Sequence, residues 1–165
     1  MINTLDFPGS HKLLKNSLPV ARNIQRLKKK IKKKKVPVIY VNDNFGLWKA
    51  SWEEVYEMCE APDAKGADLS RLLQPEEDDF FILKPKHSGF YSSNLEILLD
   101  ELKVDELIMT GIAGNICVLF TANDAYMRGY KIHVPRNCIA SNTRQDNEYA
   151  LRQLNNVFGI KISAL

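Results

Sequence analysis

Short apolar runs alternate with segments of helical periodicity along this chain, and this alternation constrains the fold more than any other feature. The strand-like runs are Val36–Val41, Phe80–Leu83, Leu107–Met109, Lys131–Val134 and Ile160–Ile162. The helical segments are a long first one through Leu13 to Ile31, then Trp52–Cys59, Leu95–Leu102, Asn115–Arg128 and Asp146–Asn156. Strands alternating with helices predict a three-layer, doubly wound α/β fold, with a mostly parallel sheet and helices on both faces.

The length and composition favour one soluble domain spanning residues 1–165. The chain is 45% hydrophobic and 26% charged, a balance typical of globular proteins. No apolar run approaches the roughly 20 residues that cross a bilayer, and the first residues lack the pattern of a signal peptide. The three cysteines are far apart and odd in number, which argues against a disulfide framework. We therefore expect a cytoplasmic protein with no membrane partner.

A run of lysines, Lys28–Lys35, carries most of the basic excess behind the net charge of +3. One interpretation is a patch for nucleic acid or a membrane surface. The other is the solvated C-terminal end of a helix, where lysines favour the negative end of the helix dipole. Ile31 stays in phase with Ile24 and Leu27, and no aromatic residue that might stack on a base interrupts the run. The helix end is favoured, and nucleic acid is not an expected partner.

Ligand sites in parallel sheets lie at the carboxyl ends of the strands. Three segments fall there: the residues after Val41, Lys84 directly after Leu83, and the turn Gly111–Cys117. A helix N-terminus favours a thiolate at Cys117, and the glycine-rich turn can bring backbone N–H groups to a developing oxyanion. The competing interpretations are a buried structural cysteine and a lysine that points to water.

Other residue patterns favour no cofactor. His11, His87 and His133 have no ligand spacing with one another or with the cysteines, and no nucleotide-binding loop is present. A metal site is therefore not expected. The irregular segment between the first two strands contains three large aromatic residues, Phe45, Trp48 and Trp52. They could form an apolar lid, a satellite cluster or a subunit contact, and the sequence leaves these alternatives open.

Several of these segments also resemble a known family. Thr110–Val118, followed by Thr121–Ala125 and Arg128–Tyr130, resembles the cysteine segment of the isochorismatase-like cysteine hydrolases, a nicotinamidase-related superfamily. Leu83–Phe90 is similar to the lysine segment of that family. Val38–Gly46 and Asp6–Gly9 resemble one bacterial branch of it, so the likeness covers essentially the whole chain.

The resemblance implies an aspartate–lysine–cysteine triad in which Cys117 attacks a carbonyl or related carbon and Lys84 assists. It also implies a cis peptide between Ile112 and Ala113, and an oxyanion hole made by the N–H groups of Ala113 and Cys117. Pocket walls in this family come from variable loops and often from a neighbouring subunit, which predicts a homo-oligomer acting on a small-molecule substrate. The corresponding pocket residues here are Asn44, Phe45, Trp48 and Phe90.

Two departures from the family pattern stand out. The family's catalytic aspartate ends the first, central strand, directly before a segment like Met1–Asn3, and neither that strand nor that aspartate is found in this sequence. Either the reading frame begins upstream, or the chain is shortened. Asp6 is not equivalent to that aspartate, and Thr4 stands where many relatives have an acidic residue. No metal-binding histidines follow Asp43, which argues against a nicotinamidase. The sequence predicts a cysteine hydrolase of a small amide or related C–N substrate; the alternative is a catalytically impaired member that serves as a binding or assembly subunit.

Overall fold

The structure is a computed structural model that describes residues 1–164. Within that range the α-helices are α1 (Ser10–Lys32), α2 (Trp52–Glu60), α3 (Ala67–Leu72), α4 (Leu95–Glu101), α5 (Leu119–Met127) and α6 (Arg144–Asn156). The strands are β1 (Ile39–Asp43), β2 (Phe80–Lys84), β3 (Glu106–Ile108), β4 (Gly111–Ile112), β5 (Lys131–His133) and β6 (Ile139–Ala140). A π-helical turn, Gly114–Val118, leads into α5, and a 3₁₀ turn, Arg136–Cys138, precedes β6.

Every strand pair is parallel, as the alternation of strands and helices predicts. The strands pair as β1 with β2, β3 with β5 and β4 with β6. The predicted last strand, Ile160–Ile162, is reduced to one bridge between His133 and Lys161. The segment predicted to be irregular contains α3, and the two-residue strands β4 and β6 were too short to show a pattern in the sequence.

The sheet is divided between β1 and β3. Among residues 1–164, β1 has only β2 as a neighbouring strand, and β3 has only β5. A cavity of about 520 Å³ separates them, lined by both strands, by apolar side chains of α1 and by Leu95 and Leu99 of α4. We call this cavity the central slot.

Side chains from helices on both faces cover the sheet. One core cluster joins Val118 and Ala122 to Leu151 and Leu154 of α6, and a second joins Leu13 and other α1 residues to Leu69 of α3. A capping box fixes the start of α2, because the Ser51 side chain accepts from the Glu54 N–H and the Glu54 carboxylate accepts from the Ser51 N–H. None of the described helices has the length and apolarity needed to cross a membrane.

The lysine run lies at the C-terminal end of α1, as expected, with Lys33–Lys35 in the turn that follows the helix. One part of the expectation is wrong. Lys28 is buried rather than solvated, and its ammonium contacts the buried carboxylate of Asp79. Lys32 bonds to Asp79 as well, at 2.8 Å, and to Glu76 at 2.9 Å. The cluster forms because the acidic turn before β2 packs against the end of α1, a contact across about fifty residues that helical periodicity does not reveal.

Candidate active site

The first two strands end side by side and bring a carboxylate and an ammonium together. The register of the ladder pairs Asp43, the last residue of β1, with Lys84, the last residue of β2. The Lys84 ammonium donates to Asp43 Oδ1. The Lys84 side chain is only 3% exposed, whereas that of Asp43 is 36% exposed. Lys84 therefore does not point to water; it points into the protein from the carboxyl end of the sheet.

Lys84 uses all three of its N–H donors. Besides Asp43, the ammonium donates to the Lys86 carbonyl at 3.2 Å and lies 3.6 Å from Cys117 Sγ. An ammonium has three donors and no acceptor, so each of its protons has a defined partner. The charge is thereby held between a carboxylate and a thiol.

Cys117 lies in the π-helical turn at the start of α5 and is partly buried. The peptide bond between Ile112 and Ala113 is cis. The Ala113 carbonyl accepts hydrogen bonds from the N–H groups of Ile116 and Val118. The Cys117 N–H, between them in sequence, does not donate to this carbonyl. Gly114 is required here, because a Cβ at this position would lie 2.8 Å from Asn147 Oδ1. The turn thus packs tightly on α6 while it presents the thiol to Lys84.

A threonine joins the lysine segment to the cysteine helix. The Thr121 hydroxyl donates to the Cys117 carbonyl at 2.6 Å and accepts from the Gly89 N–H at 2.9 Å. Gly89 itself approaches the side chains of Val41, Leu95 and Thr121 so closely that a Cβ would have little room. The loop after β2 and the first turn of α5 are therefore bonded to one residue.

The other two thiols lie in a different environment. Cys59 and Cys138 are buried, and burial raises the pKa of each thiol to about 11. The Cys117 thiol, by contrast, is in contact with the Lys84 ammonium. A buried neutral thiol is poorly reactive, so Cys59 and Cys138 are the weaker candidates for nucleophilic chemistry.

The amino group of Met1 reaches the same place. It is buried and donates to Asn42 Oδ1 at 3.4 Å, and burial lowers its pKa from the ordinary value. A small cavity of about 30 Å³ lies between these side chains. Its lining includes Met1, Asn42, Asp43, Lys84 and Cys117. The site is thus a narrow polar pocket at the carboxyl ends of β1 and β2.

The predicted pocket residues lie around this site rather than in it. The buried Asn44 side chain accepts from the Gly46 N–H at 3.0 Å and shapes the turn after β1. Phe45 and Trp48 are exposed, Trp48 to 77%, and they line neither cavity described above. Phe90 lines the central slot instead. Trp52 stacks on Phe81 at 5.1 Å between ring centroids, so it belongs to a packing cluster and not to a lid.

Asp43 is the site residue that the sequence reasoning missed. The segment after Val41 was expected at this edge of the sheet, but nothing in the pattern distinguished Asp43 from its neighbours. Its contact depends on the register of β1 with β2, which only the folded sheet defines. Within residues 1–164, no group of three histidine, cysteine or acidic side chains is arranged to hold a metal ion.

Comparison with known proteins decides the family. The family model described as "Isochorismatase domain" matches residues 7–164. The chain belongs to the isochorismatase family. Among members of this family, the uncharacterized isochorismatase family protein YaaI of Bacillus subtilis (strain 168) is 45% identical over 163 residues, which is 99% of this chain and 89% of that protein.

Two further relatives bear on fold and chemistry. N-carbamoylsarcosine amidase of an Arthrobacter species is 27% identical over 149 residues, which is 83% of this chain and 55% of that protein. The isochorismatase-like hydrolase of Alkaliphilus metalliredigens superposes with a TM-score of 0.78 at 23% identity, covering 99% of this chain and 82% of that one. This likeness confirms the predicted isochorismatase-like α/β fold, and family members include hydrolases of amides.

Proposed function

We propose that this isochorismatase-family chain is a cysteine hydrolase of a small amide or a related planar C–N compound. The observation that carries the proposal is the Lys84 ammonium, which lies 3.6 Å from Cys117 Sγ and bonds to the Asp43 carboxylate. Relatives named as amidases, such as N-carbamoylsarcosine amidase, support the reaction class.

The first half of the reaction is attack by sulfur. The Cys117 thiol gives its proton to Asp43, and Sγ forms a bond to the substrate carbonyl carbon while the C=O electron pair moves to oxygen. The Lys84 ammonium, 3.6 Å from Sγ, holds the sulfur in place for the attack. The N–H groups of Ala113 and Cys117 stabilise the oxyanion, and the π-helical turn that leaves the Cys117 amide unbonded to Ala113 supports this role.

The second half releases the two products. The oxyanion collapses, the C–N bond breaks with its electron pair on nitrogen, and Asp43 returns the proton to the leaving amine. Water then attacks the thioester, the C–S bond breaks, and Cys117 regains a proton while the acid leaves. Asp43 suits the proton transfers because its carboxylate is partly exposed and beside Lys84. Such acid–base help is worth about 10²–10⁴-fold.

The segment after β1 is a candidate for both substrate binding and subunit assembly. Trp48 is 77% exposed and Phe45 is 37% exposed, and both lie in the segment after β1. Large exposed aromatic side chains are enriched where protein surfaces meet. We infer that this loop, with Asn44 at its base, forms pocket walls together with a second subunit of a homo-oligomer.

The test is ammonia release from a panel of small amides, ureido compounds and carbamoyl amines. We expect turnover by the wild type, none by Cys117→Ala, and unchanged turnover by Cys138→Ala, the matched control for loss of a thiol. Hydrolysis that survives in Cys117→Ala contradicts the proposal. A folded wild type with no turnover and no covalent labelling of Cys117 by the panel favours the alternative, a catalytically impaired binding or assembly subunit.

A further inference from the structure

The turn that carries the Cys117 thiol begins without a capping side chain of its own. The first N–H groups of a helix have no partner within the helix, and a side chain just before the helix commonly accepts from one of them. Ala113 occupies that position here, and its methyl group cannot accept a hydrogen bond. The Asn115 N–H, in the first turn, therefore needs an acceptor from another part of the chain.

Ser141 supplies this acceptor. Its hydroxyl oxygen accepts from the Asn115 N–H at 3.2 Å, although the two residues are 26 positions apart in the sequence. Ser141 directly follows β6, whose ladder with β4 ends at the pair Ile112 and Ala140, so it continues that strand at the level where the turn begins. Ser141 is 1% exposed, and its hydroxyl is therefore shielded from water that could replace its partner.

The side chain of Asn147 determines where that hydroxyl points. The Ser141 hydroxyl has one proton and donates it to Asn147 Oδ1 at 3.1 Å, which leaves the lone pairs of its oxygen for the Asn115 N–H. Asn147 lies in the first turn of α6, whose start is fixed by the Thr143 side chain, which accepts from the Asp146 N–H at 3.0 Å. The chain of hydrogen bonds thus runs from α6 through Ser141 to the turn.

The side chains of Ser141 and Asn147 also lie against the backbone of the turn. A Cβ at Gly114 would lie 2.8 Å from Asn147 Oδ1 and 3.0 Å from Ser141 Oγ, so the approach is as close as glycine permits. Neither side chain lines either of the two cavities described above. Ser141 and Asn147 therefore act on a substrate through the turn, by fixing the backbone around Cys117.

We propose that Ser141 and Asn147 are positioning residues, which hold the Cys117 N–H and thiol in the geometry that attack on a carbonyl requires. This inference rests on the hydrolase function proposed above. Catalytic groups must be held within about 0.5 Å of their productive geometry, and a misplacement of about 1 Å can cost about 10²-fold in rate. Because the Asn115 N–H is bound to Ser141, the peptide units that lead to Cys117 cannot turn freely.

The test compares two reactions of Cys117 that need no natural substrate. In the first, p-nitrophenyl acetate acylates the thiol: the sulfur loses its proton to the buffer and bonds to the carbonyl carbon, an oxyanion forms and collapses, and p-nitrophenolate leaves. In the second, iodoacetamide alkylates the same sulfur with loss of iodide, and no oxyanion forms. The ratio of the two rate constants therefore reports the oxyanion hole and cancels changes in the exposure or ionisation of the thiol.

Ser141→Ala should lower the ratio of acylation to alkylation about 10–100-fold, because the N–H groups of the turn lose their fixed direction. Absorbance of p-nitrophenolate, corrected for the Cys117→Ala background, gives the first rate constant, and mass mapping of Cys117 gives the second. Asn147→Asp keeps an acceptor for the Ser141 hydroxyl and should stay within about twofold of the wild-type ratio, whereas Asn147→Ala should fall about three- to tenfold.

A matched control separates positioning from stability. Asn23→Ala removes a buried-side hydrogen bond from α1 to the Asn137 carbonyl at 2.8 Å, beside β6 but away from the turn. It should lower the melting temperature and leave the ratio unchanged. Equal losses of the ratio in Ser141→Ala and Asn23→Ala would mean general destabilisation and overturn the inference.

The outcomes also separate this inference from the function on which it rests. A folded wild type that is alkylated at Cys117 but not acylated above background contradicts the proposed function, and the inference with it. A wild type that is acylated, with an unchanged ratio in Ser141→Ala, overturns the inference alone. If Ser141→Ala does not fold, equal ratios in Asn147→Asp and Asn147→Ala overturn it instead.

Discussion

Two buried lysines of this protein make similar ion pairs in different surroundings. Lys84 and Lys28 have side chains that are 3% and 8% exposed, and each contacts an aspartate. Lys28 also contacts Glu76, the Tyr40 hydroxyl and the Gln74 carbonyl. Lys84 instead contacts the Lys86 carbonyl and the Cys117 thiol. A buried lysine–aspartate pair is therefore not by itself a sign of function. The further group that the lysine contacts distinguishes a candidate catalytic lysine from one that only stabilises the fold.

The sharpest test of this comparison exchanges each lysine for methionine, which keeps the length and removes the charge. Lys84→Met should lower the turnover of any amide substrate by about 10²–10⁴-fold, because Cys117 and Asp43 lose the cation between them. Lys28→Met should leave kcat/KM within about threefold of the wild type. Steady-state kinetics on folded protein measure both. Equal losses in the two variants would mean that the site is not localised at Lys84.

Alkylation separates the two regions without a known substrate. At pH 8, iodoacetamide should label Cys117 more than 100-fold faster than Cys59 or Cys138, whose pKa values of about 11 leave few thiolates. Lys84→Met should slow the labelling of Cys117 roughly tenfold, because the attacking sulfur loses its contact with the ammonium 3.6 Å away. Peptide mass mapping over time gives the rates. Lys28→Met is the control, and a matching slowdown there would contradict the distinction.

Stability should respond in the opposite order. Lys28→Met leaves the 1% exposed Asp79 carboxylate with Lys32 as its remaining cation. Losing one hydrogen bond to a buried charge costs about 1–3 kcal/mol, which lowers the melting temperature by roughly 2–10 °C. Calorimetry of Lys28→Met beside Lys29→Met, an exposed neighbour in the same turn, checks this. The stabilising role of Lys28 is contradicted if both variants have the melting temperature of the wild type.

The smallest effect concerns acid. Burial acts to raise the pKa of Asp79, but hydrogen bonds from Lys28 and Lys32 outweigh it, and the pKa lies below its ordinary value of 3.8. This stabilisation is full above that ordinary value and is lost as the pH falls through the lowered one. Asp79→Asn should therefore have a lower melting temperature than the wild type at pH 7. Its melting temperature should also fall less than that of the wild type between pH 4 and pH 2. Asp63→Asn, a change at an exposed position, should have the same dependence of melting temperature on pH as the wild type.

The sequence predicted the parts of this site that depend on local pattern. Cys117 follows a glycine-containing turn after an apolar run, and Lys84 follows another run, so both could be placed at strand ends. Asp43 could not be paired with Lys84 in advance, because their contact depends on strand register. Lys28 was assigned to solvent for a related reason: its partner Asp79 is 51 positions away, and helix periodicity says nothing about what a helix end meets.

The fold shows the same boundary between local and distant information. The long helix α1 and the runs at β1 and β2 carry enough apolar periodicity to be recognised. Two-residue strands such as β4 do not, since their pairing with β6 depends on the parallel ladder around them. The π-helical turn before α5 was likewise hidden inside a helical pattern, because one extra residue in a turn leaves the spacing of later residues almost unchanged.

The threonine that joins the two strand-end segments has a consequence for how this chain tolerates insertions and deletions. Thr121 bonds to Gly89 on one side and to the Cys117 carbonyl on the other, so residues 85–88 are a spacer of set length between the ammonium and the thiol. One residue added there would displace Gly89 and, through Thr121, pull the cysteine away from Lys84. The loop after Phe45 has no such link to α5, and its length can vary among descendants of this protein while the reacting atoms keep their spacing.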